Sequence, residues 1–426
     1  MKIIQHPDPA GWEELLKRPA VDALSLEKSV KKILRQVKLK GDTAVRKYAA
    51  VFDGVKQRKF EISPKEINSA ENNLPATLKN AITLAAKNIR AFHEPQWILE
   101  KAIETMPGII CYRKSVPIEK VGLYIPGGTA PLFSTILMLG IPASIAGCRE
   151  IILCSPPQKN GELHPAILFA ARLVGITRIF KAGGVQAIGA MAYGTATIPK
   201  VDKIFGPGNQ YVMAAKQLIQ QEGVAIDMPA GPSELCIVAD GTARASFVAA
   251  DLLSQAEHGA DSQVMLVTTS ASLADAVNRE LAVQLEKLPR RDIAAKALEN
   301  SRAIILSSME EVMEIVNAYA PEHLILACEN PKKIANMVIN AGSVFLGHYT
   351  PESAGDYASG TNHTLPTNGY ARAYSGVSVD SFVKKITFQQ LTREGLGQIS
   401  ETIVTMAMHE GLDAHAEAVR IRLGGN

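Results

Sequence analysis

Beyond Lys120, short runs rich in Val, Ile and Leu recur between stretches with helical spacing. The runs at Val121–Ile125, Glu150–Cys154, Arg178–Lys181, Lys203–Phe205, Leu235–Ala239, Gln263–Thr268, Arg302–Leu306, Leu324–Cys328 and Ser343–Leu346 predict strands. Pro165–Val174, Gln210–Gln221, Ala245–Glu257, Leu273–Leu288 and Glu310–Ala320 predict helices between them. Strands apolar along their whole length need cover on both faces, so the rhythm predicts α/β architecture with parallel, doubly wound sheets clad in helices. Ligands should then gather at the loop edges of the sheets. Before about Glu119 the chain reads as mostly helical and charged, with helical spacing over Leu26–Lys38 and Pro64–Phe92. After Asp380 it reads as helical again, in a segment too short to bury a core alone, which must dock on something larger.

One stretch, Val121 to Cys148, carries no charge and is long enough to raise the question of a membrane span. Pro126, Gly127, Gly128, Pro131 and Pro142 break it into strand, loop and helix, which favours a buried βα unit. A chain of 426 residues is expected to form roughly two to four units. Lys and Arg (45) nearly balance Asp and Glu (42), and no basic run is interleaved with aromatics, so neither nucleic acid nor a membrane is an expected partner. The five cysteines lie in or beside apolar runs without a C-x-x-C pair and read as reduced thiols of a cytoplasmic protein. The N-terminus meets acidic and proline residues before any apolar signal core could form.

Three stretches carry candidate chemistry. In Ser254-Gln255-Ala256-Glu257-His258-Gly259, Gln255 and His258 are three apart at the end of an apolar helix, so their side chains share a face and can grip one ion. The same residues also read as a plain capped helix end. The polar stretch from Gly347 to His363 carries His348, Glu352, Asp356 and His363 within one loop, which is either a site or a turn-rich connection. Glu322 and His323 put a carboxylate beside an imidazole after a helix stopped by Pro321, the minimum equipment for moving protons at neutral pH. Adjacent side chains of an extended segment point oppositely, so this pair serves one site only at a bend or element end.

Two glycine-containing loops follow strands: Tyr124-Ile125-Pro126-Gly127-Gly128-Thr129-Ala130 and Phe205-Gly206-Pro207-Gly208-Asn209-Gln210. They are either phosphate cradles or tight structural turns, since neither is a G-x-G-x-x-G fingerprint. At the C-terminal end, one helix should stop at Gly411 and another start at Asp413, placing His415 in a first turn, where it is either a plain solvated histidine or, since the helix dipole favours neutral imidazole, a metal ligand.

Taken together, the run from Val121 to Thr135, Phe205–Asn209, Ile226–Glu234, Leu252–Gly259, Ala318–Leu324, Ser359–His363 and Glu410–His415 closely resembles the histidinol dehydrogenase family, in family order. The N-terminal hundred residues carry no comparable motif. The resemblance implies zinc-dependent oxidation of L-histidinol to L-histidine through histidinal with two NAD, the last steps of histidine biosynthesis. It implies zinc ligands at Gln255, His258, Asp356 and His415, catalytic roles for Glu322 and His323, and NAD contacts at Tyr124, Gln186 and Asn209. Substrate contacts fall on Ser233, His363 and Glu410, together with His323 and the zinc ligands. The implied fold is two incomplete Rossmann-like domains with small helical terminal additions, in a homodimer whose C-terminal segment reaches the partner's site. The division expected is residues 1–22 as a small N-terminal segment, 23–123 with 235–377 as one α/β domain, 124–234 as the NAD-binding domain, and 378–426 docking on the partner. Other readings are a relative acting on another small diol or amino alcohol, a zinc hydrolase with Glu322 activating water, and a non-catalytic metal-binding protein.

Overall fold

The computed structural model describes residues 1–19, 23–57, 59–127 and 131–424. Its strands are β1 (Lys2–Gln5), β2 (Ile103–Met106), β3 (Ile109–Pro117), β4 (Lys120–Tyr124), β5 (Glu150–Ser155), β6 (Arg178–Lys181), β7 (Lys203–Phe205), β8 (Ala225–Ile226), β9 (Glu234–Ala239), β10 (Gln263–Thr268), β11 (Arg302–Ile305), β12 (His323–Ala327), β13 (Ser343–Leu346) and β14 (Val383–Leu391). They form a six-stranded parallel sheet in the order β1-β11-β10-β9-β12-β13 and a five-stranded parallel sheet in the order β6-β5-β4-β7-β8. Each carries a hydrophobic core on both faces, as apolar parallel strands require. The mixed α/β class expected from the rhythm is the one observed.

The uncharged stretch forms β4 and the buried helix Phe133–Ala146, which is apolar all round because neighbours surround it. Among the described residues no helix is long and apolar enough to cross a membrane.

Two features depart from the expectations. The stretches read as helical near Glu119 and after Asp380 contain a third, antiparallel sheet, β14-β3-β2, in which all nine residues of β14 pair with β3 and the rings of Tyr112 and Phe388 stack 5.0 Å apart. Most of β2 and β14 is exposed, so these strands lack the apolar run that marks the others. The second departure concerns residues 23–93. Val30, Leu34 and Val37 of the helix Ala23–Lys40 and Ile82 and Ile89 of the helix Ala76–His93 join the two cores of the five-stranded sheet. Grouping 23–123 with 235–377 therefore does not describe the packing of these helices, and β1, within the expected N-terminal segment, pairs with β11.

Gly206, after β7, shows how this fold shapes its sheet edge. Its φ of 126° is glycine territory, and a Cβ there would collide with the carbonyl oxygen of Tyr124. The buried Lys216 ion-pairs with Asp227 and also donates to the Gly206 carbonyl at 2.9 Å, while Asp227 accepts from the Gly206 N–H at 2.8 Å. This brace sets the loop that carries Asn209. Gly206→Ala is expected to cost about 1–3 kcal/mol from backbone strain alone. A lower urea midpoint would show it; an unchanged midpoint would refute the account.

Candidate active site

The two parallel sheets present opposite edges to one cleft. At the C-terminal ends of the five-stranded sheet, Tyr124 closes β4, Gln186 sits in the first turn of the helix Gly184–Tyr193 after β6, and Asn209 caps the helix Gln210–Gln221 after β7; Asn209 lines the cleft, while Tyr124 and Gln186 are buried. From the six-stranded sheet come the N-terminal ends of β9 and β10, through Ser233 and Ser262, while Glu322 and His323 at the start of β12 are buried beside β9. The cleft holds about 1080 Å³ and is lined in part by Asn209, Ser233 and His258, with the cations Lys17, Arg18 and Arg372.

The helix Met309–Tyr319 stops at Ala320, whose φ of 53° turns the chain, and Pro321 prevents its continuation. Glu322 and His323 follow at once, with His323 opening β12 one residue earlier than expected. This bend lets neighbouring side chains share a site: the Glu322 carboxylate and His323 Nδ1 are 3.6 Å apart, and both residues are buried. The backbone of Glu234 holds the two of them. Its N–H donates to Glu322 Oε2 at 2.8 Å, and its carbonyl lies 3.2 Å from His323 Nδ1. A carbonyl only accepts, so Nδ1 carries a proton there. Nε2 is buried without a hydrogen-bond partner, 3.6 Å from Asp356 Oδ1.

Asp356 belongs not to a loop but to the short helix Glu352–Tyr357, where four-residue spacing puts Glu352 and Asp356 on one face. Glu352 lies 3.5 Å from His323 Nδ1 and takes a hydrogen bond from the Gln255 amide, whose oxygen in turn accepts from the Glu234 N–H at 3.2 Å. Donor atoms of His323, Glu352 and Asp356 all lie within 4.8 Å of one another, a group able to hold a metal ion. Burial works against a charged imidazole at His323, but Glu352 and Glu322, then Asp356, outweigh it and raise its pKa well above the ordinary value. Burial, reinforced by Asp356 and Glu322 against the pull of His323, pushes Glu352 up to about 8. Asp356 moves the other way: burial opposes ionisation, yet His323, His363 and His258 hold its carboxyl below the usual aspartate value.

His363 Nδ1 donates to the Asp356 carbonyl at 2.9 Å, which leaves Nε2 to accept from the Thr135 hydroxyl at 3.1 Å. Burial lowers its pKa, consistent with that neutral tautomer. Gln255 is buried near the end of the helix Ala245–Ala256, while His258, past the helix, is exposed along the cleft.

On the facing edge, the hydroxyl of buried Tyr124 accepts from the Gly184 N–H at 3.0 Å, and burial pushes its pKa up to about 12. Both amide atoms of the buried Gln186 lack a hydrogen-bond partner among the described residues. Asn209 Oδ1 accepts from the N–H groups of Tyr211 and Val212. The loop after Tyr124 runs into residues 128–130, which lie outside the described residues.

Gln255, Asp356, Glu322, His323 and His363 thus converge, with His258 at their margin. Glu410 and His415 do not join them. Both are exposed on a C-terminal arm whose helices, Arg393–His409 and Asp413–Leu423, pack on each other and, through β14, on β3. Three residues of the cluster have no assigned role in the sequence reading: Glu352, Glu234 and Thr135. The i,i+4 spacing of Glu352 and Asp356 marks the first of them, and Thr135 and Glu234 end two of the runs on which the family resemblance rests.

The family model for histidinol dehydrogenase matches residues 16–423. The chain belongs to the histidinol dehydrogenase family. Histidinol dehydrogenase of Bacteroides thetaiotaomicron is 62% identical over 423 residues, covering 99% of each chain. That of Xylella fastidiosa (strain Temecula1) is 52% identical over 428 residues, covering 100% of this chain and 99% of its own. The crystal structure of histidinol dehydrogenase from Elizabethkingia anophelis superposes with a TM-score of 0.97 at 53% identity, covering 99% of this chain and 98% of that one. The family match thus extends through most of the N-terminal hundred residues, where no motif is visible.

Proposed function

We propose that this chain oxidises L-histidinol through L-histidinal to L-histidine in histidine biosynthesis, with zinc and two molecules of NAD, as a cytoplasmic homodimer. The observation that carries the reading is the bare His323 Nε2, buried opposite Asp356 with Glu322 alongside. A binding protein has no task for that pair.

The residues present fit both absent groups. Gln255, His258 and Asp356, with His415 of a second copy, offer the nitrogen and oxygen donors that zinc accepts. The unpartnered amide of Gln186 suits a hydrogen-bonding ligand such as NAD, with Tyr124 and Asn209 on the same sheet edge. Zinc, when bound, supplies a centre that orients the imidazole and amine of histidinol. NAD, when bound, takes up hydride.

Conversion of an alcohol to an acid removes two hydrides with a water added between them, so one base is needed for the alcohol proton and one for water. His323 takes the alcohol proton on Nε2, while its Nδ1–H stays on the Glu234 carbonyl. Glu322 withdraws a proton from water for attack on the aldehyde. Ser233 and His363, with Glu410 of a second copy, hold the substrate. Glu322→Gln should then slow histidinal oxidation by about 10²–10⁴-fold and the first hydride transfer much less, with the reverse for His323→Asn. Pre-steady-state traces of reduced nicotinamide separate the stages; equal slowing of both in both variants would refute the division.

With limiting L-histidinol and excess NAD, about two reduced nicotinamides should appear per substrate, because the change involves four electrons. None at all would leave a hydrolase or a binding protein as the better reading.

A further inference from the structure

Both catalytic candidates depend on the backbone of one residue, Glu234, and the structure fixes this residue from a distant part of the chain. Glu234 is 2% exposed. Its carboxylate receives Arg18 Nε at 2.5 Å and Arg18 Nη2 at 2.9 Å, a two-pronged pair, and the Asn368 N–H donates to its Oε1 at 2.8 Å. Arg18 is itself held: Nη2 also donates to the Tyr319 carbonyl at 2.8 Å, and the guanidinium lies over the Tyr319 ring, 4.1 Å from its centroid. Tyr319 ends the helix whose turn presents Glu322 and His323. Arg18 therefore ties together the two segments that meet at the base pair, β9 through Glu234 and the 319–323 bend through Tyr319.

A planar guanidinium bonded on two edges fixes orientation as well as charge. Catalytic groups need such fixing, since small misplacements cost rate rather than binding. We propose that Arg18 and Glu234 act as a positioning strut, the ion pair between them fixing the Glu234 backbone so that its N–H holds the Glu322 carboxylate and its carbonyl holds the His323 imidazole. Neither residue touches the reacting atoms. The inference rests on the proposed reaction and adds a determinant of its rate.

Arg18→Ala and Arg18→Lys test it. Lysine keeps the charge but not the two-pronged geometry. Both should fold, bind zinc like the parent and keep KM for L-histidinol and NAD within about twofold, while kcat falls about 10–100-fold at both the alcohol and aldehyde stages. Because the strut acts through the base pair, Arg18→Ala added to a Glu322→Gln, His323→Asn protein should cost much less than in the parent. Millimolar ethylguanidinium should partly restore Arg18→Ala and leave the parent unchanged. A readout independent of turnover is the proton on His323 Nδ1, observed by NMR in protein with ¹⁵N-labelled histidine and assigned by its loss in His323→Asn. It should exchange slowly in the parent and fast in Arg18→Ala. Unchanged kcat and proton exchange in folded Arg18→Ala, or an undiminished loss in the base-deleted background, would overturn the proposal. If Arg18→Ala fails to fold, Arg18→Lys carries the same comparisons. Lack of reduced nicotinamide from the parent protein would count against the proposed reaction instead, and the NMR exchange would still judge the strut.

Discussion

Removing metal with a strong chelator is expected to abolish turnover of this chain, and added zinc to restore it. Glu322, Glu352 and Asp356 converge on His323 with no lysine or arginine in direct contact with that imidazole among the described residues. Three carboxylates in a buried space repel one another; burial first, then Asp356 and Glu322, push Glu352 up to about 8. A divalent cation at Asp356, Gln255 and His258 would relieve it, and would favour a neutral His323 able to accept a proton. Binding to the folded state alone also raises stability, by about 2.7 kcal/mol at a free zinc concentration one hundred times Kd. Chelation should therefore lower the melting temperature as well as the rate. His258→Ala and Asp356→Ala should lose bound zinc and activity together. Full activity in protein shown by elemental analysis to be metal-free would defeat this account.

The legible parts of the chain were those where a local pattern has one structural solution. Runs such as Gln263–Thr268 can only be strands covered on both faces, and both of their ends match the fold. Glu322 and His323 follow a proline-stopped helix, so a bend there was foreseeable, and Ala320 supplies it. What stayed hidden depends on contacts between distant segments. The exposed strands β2 and β14 are defined by pairing with β3 rather than by their own apolar pattern. The helices of residues 23–93 give no sign of which sheet they cover, because an amphipathic stripe fits any apolar face. Glu234 is one acidic residue at the end of an apolar run, and its importance comes from a backbone that reaches β12 and a side chain that reaches Arg18, 216 residues away. The site's position was half legible: the five-stranded sheet offers the expected C-terminal edge, but Glu322 and His323 lie on the N-terminal edge of the other sheet. The cleft itself is bordered by the C-terminal end of β7 and the N-terminal ends of β9 and β10.

Two inactive variants, His258→Ala and His415→Ala, should regain activity when unfolded and refolded together. His258 borders the cleft, whereas His415 stands exposed on the C-terminal arm. That arm also exposes the apolar side chains of Met406, Met408, Leu412 and Ile421. The family resemblance assigns both histidines to one zinc site, and a second copy of the chain can supply what the first keeps out of reach. In a two-fold dimer with such shared sites, a mixed dimer collects both defects in one site and none in the other. Random mixing makes about half the dimers mixed, so roughly a quarter of all sites should be intact. Activity should rise from background to about that fraction of the parent value, with bound zinc rising in step. If every site were built within one chain, no pairing of the two variants could produce an intact one. A mixture that stays as inactive as either variant refolded alone, although mass spectrometry under native conditions shows mixed dimers, would rule the shared site out.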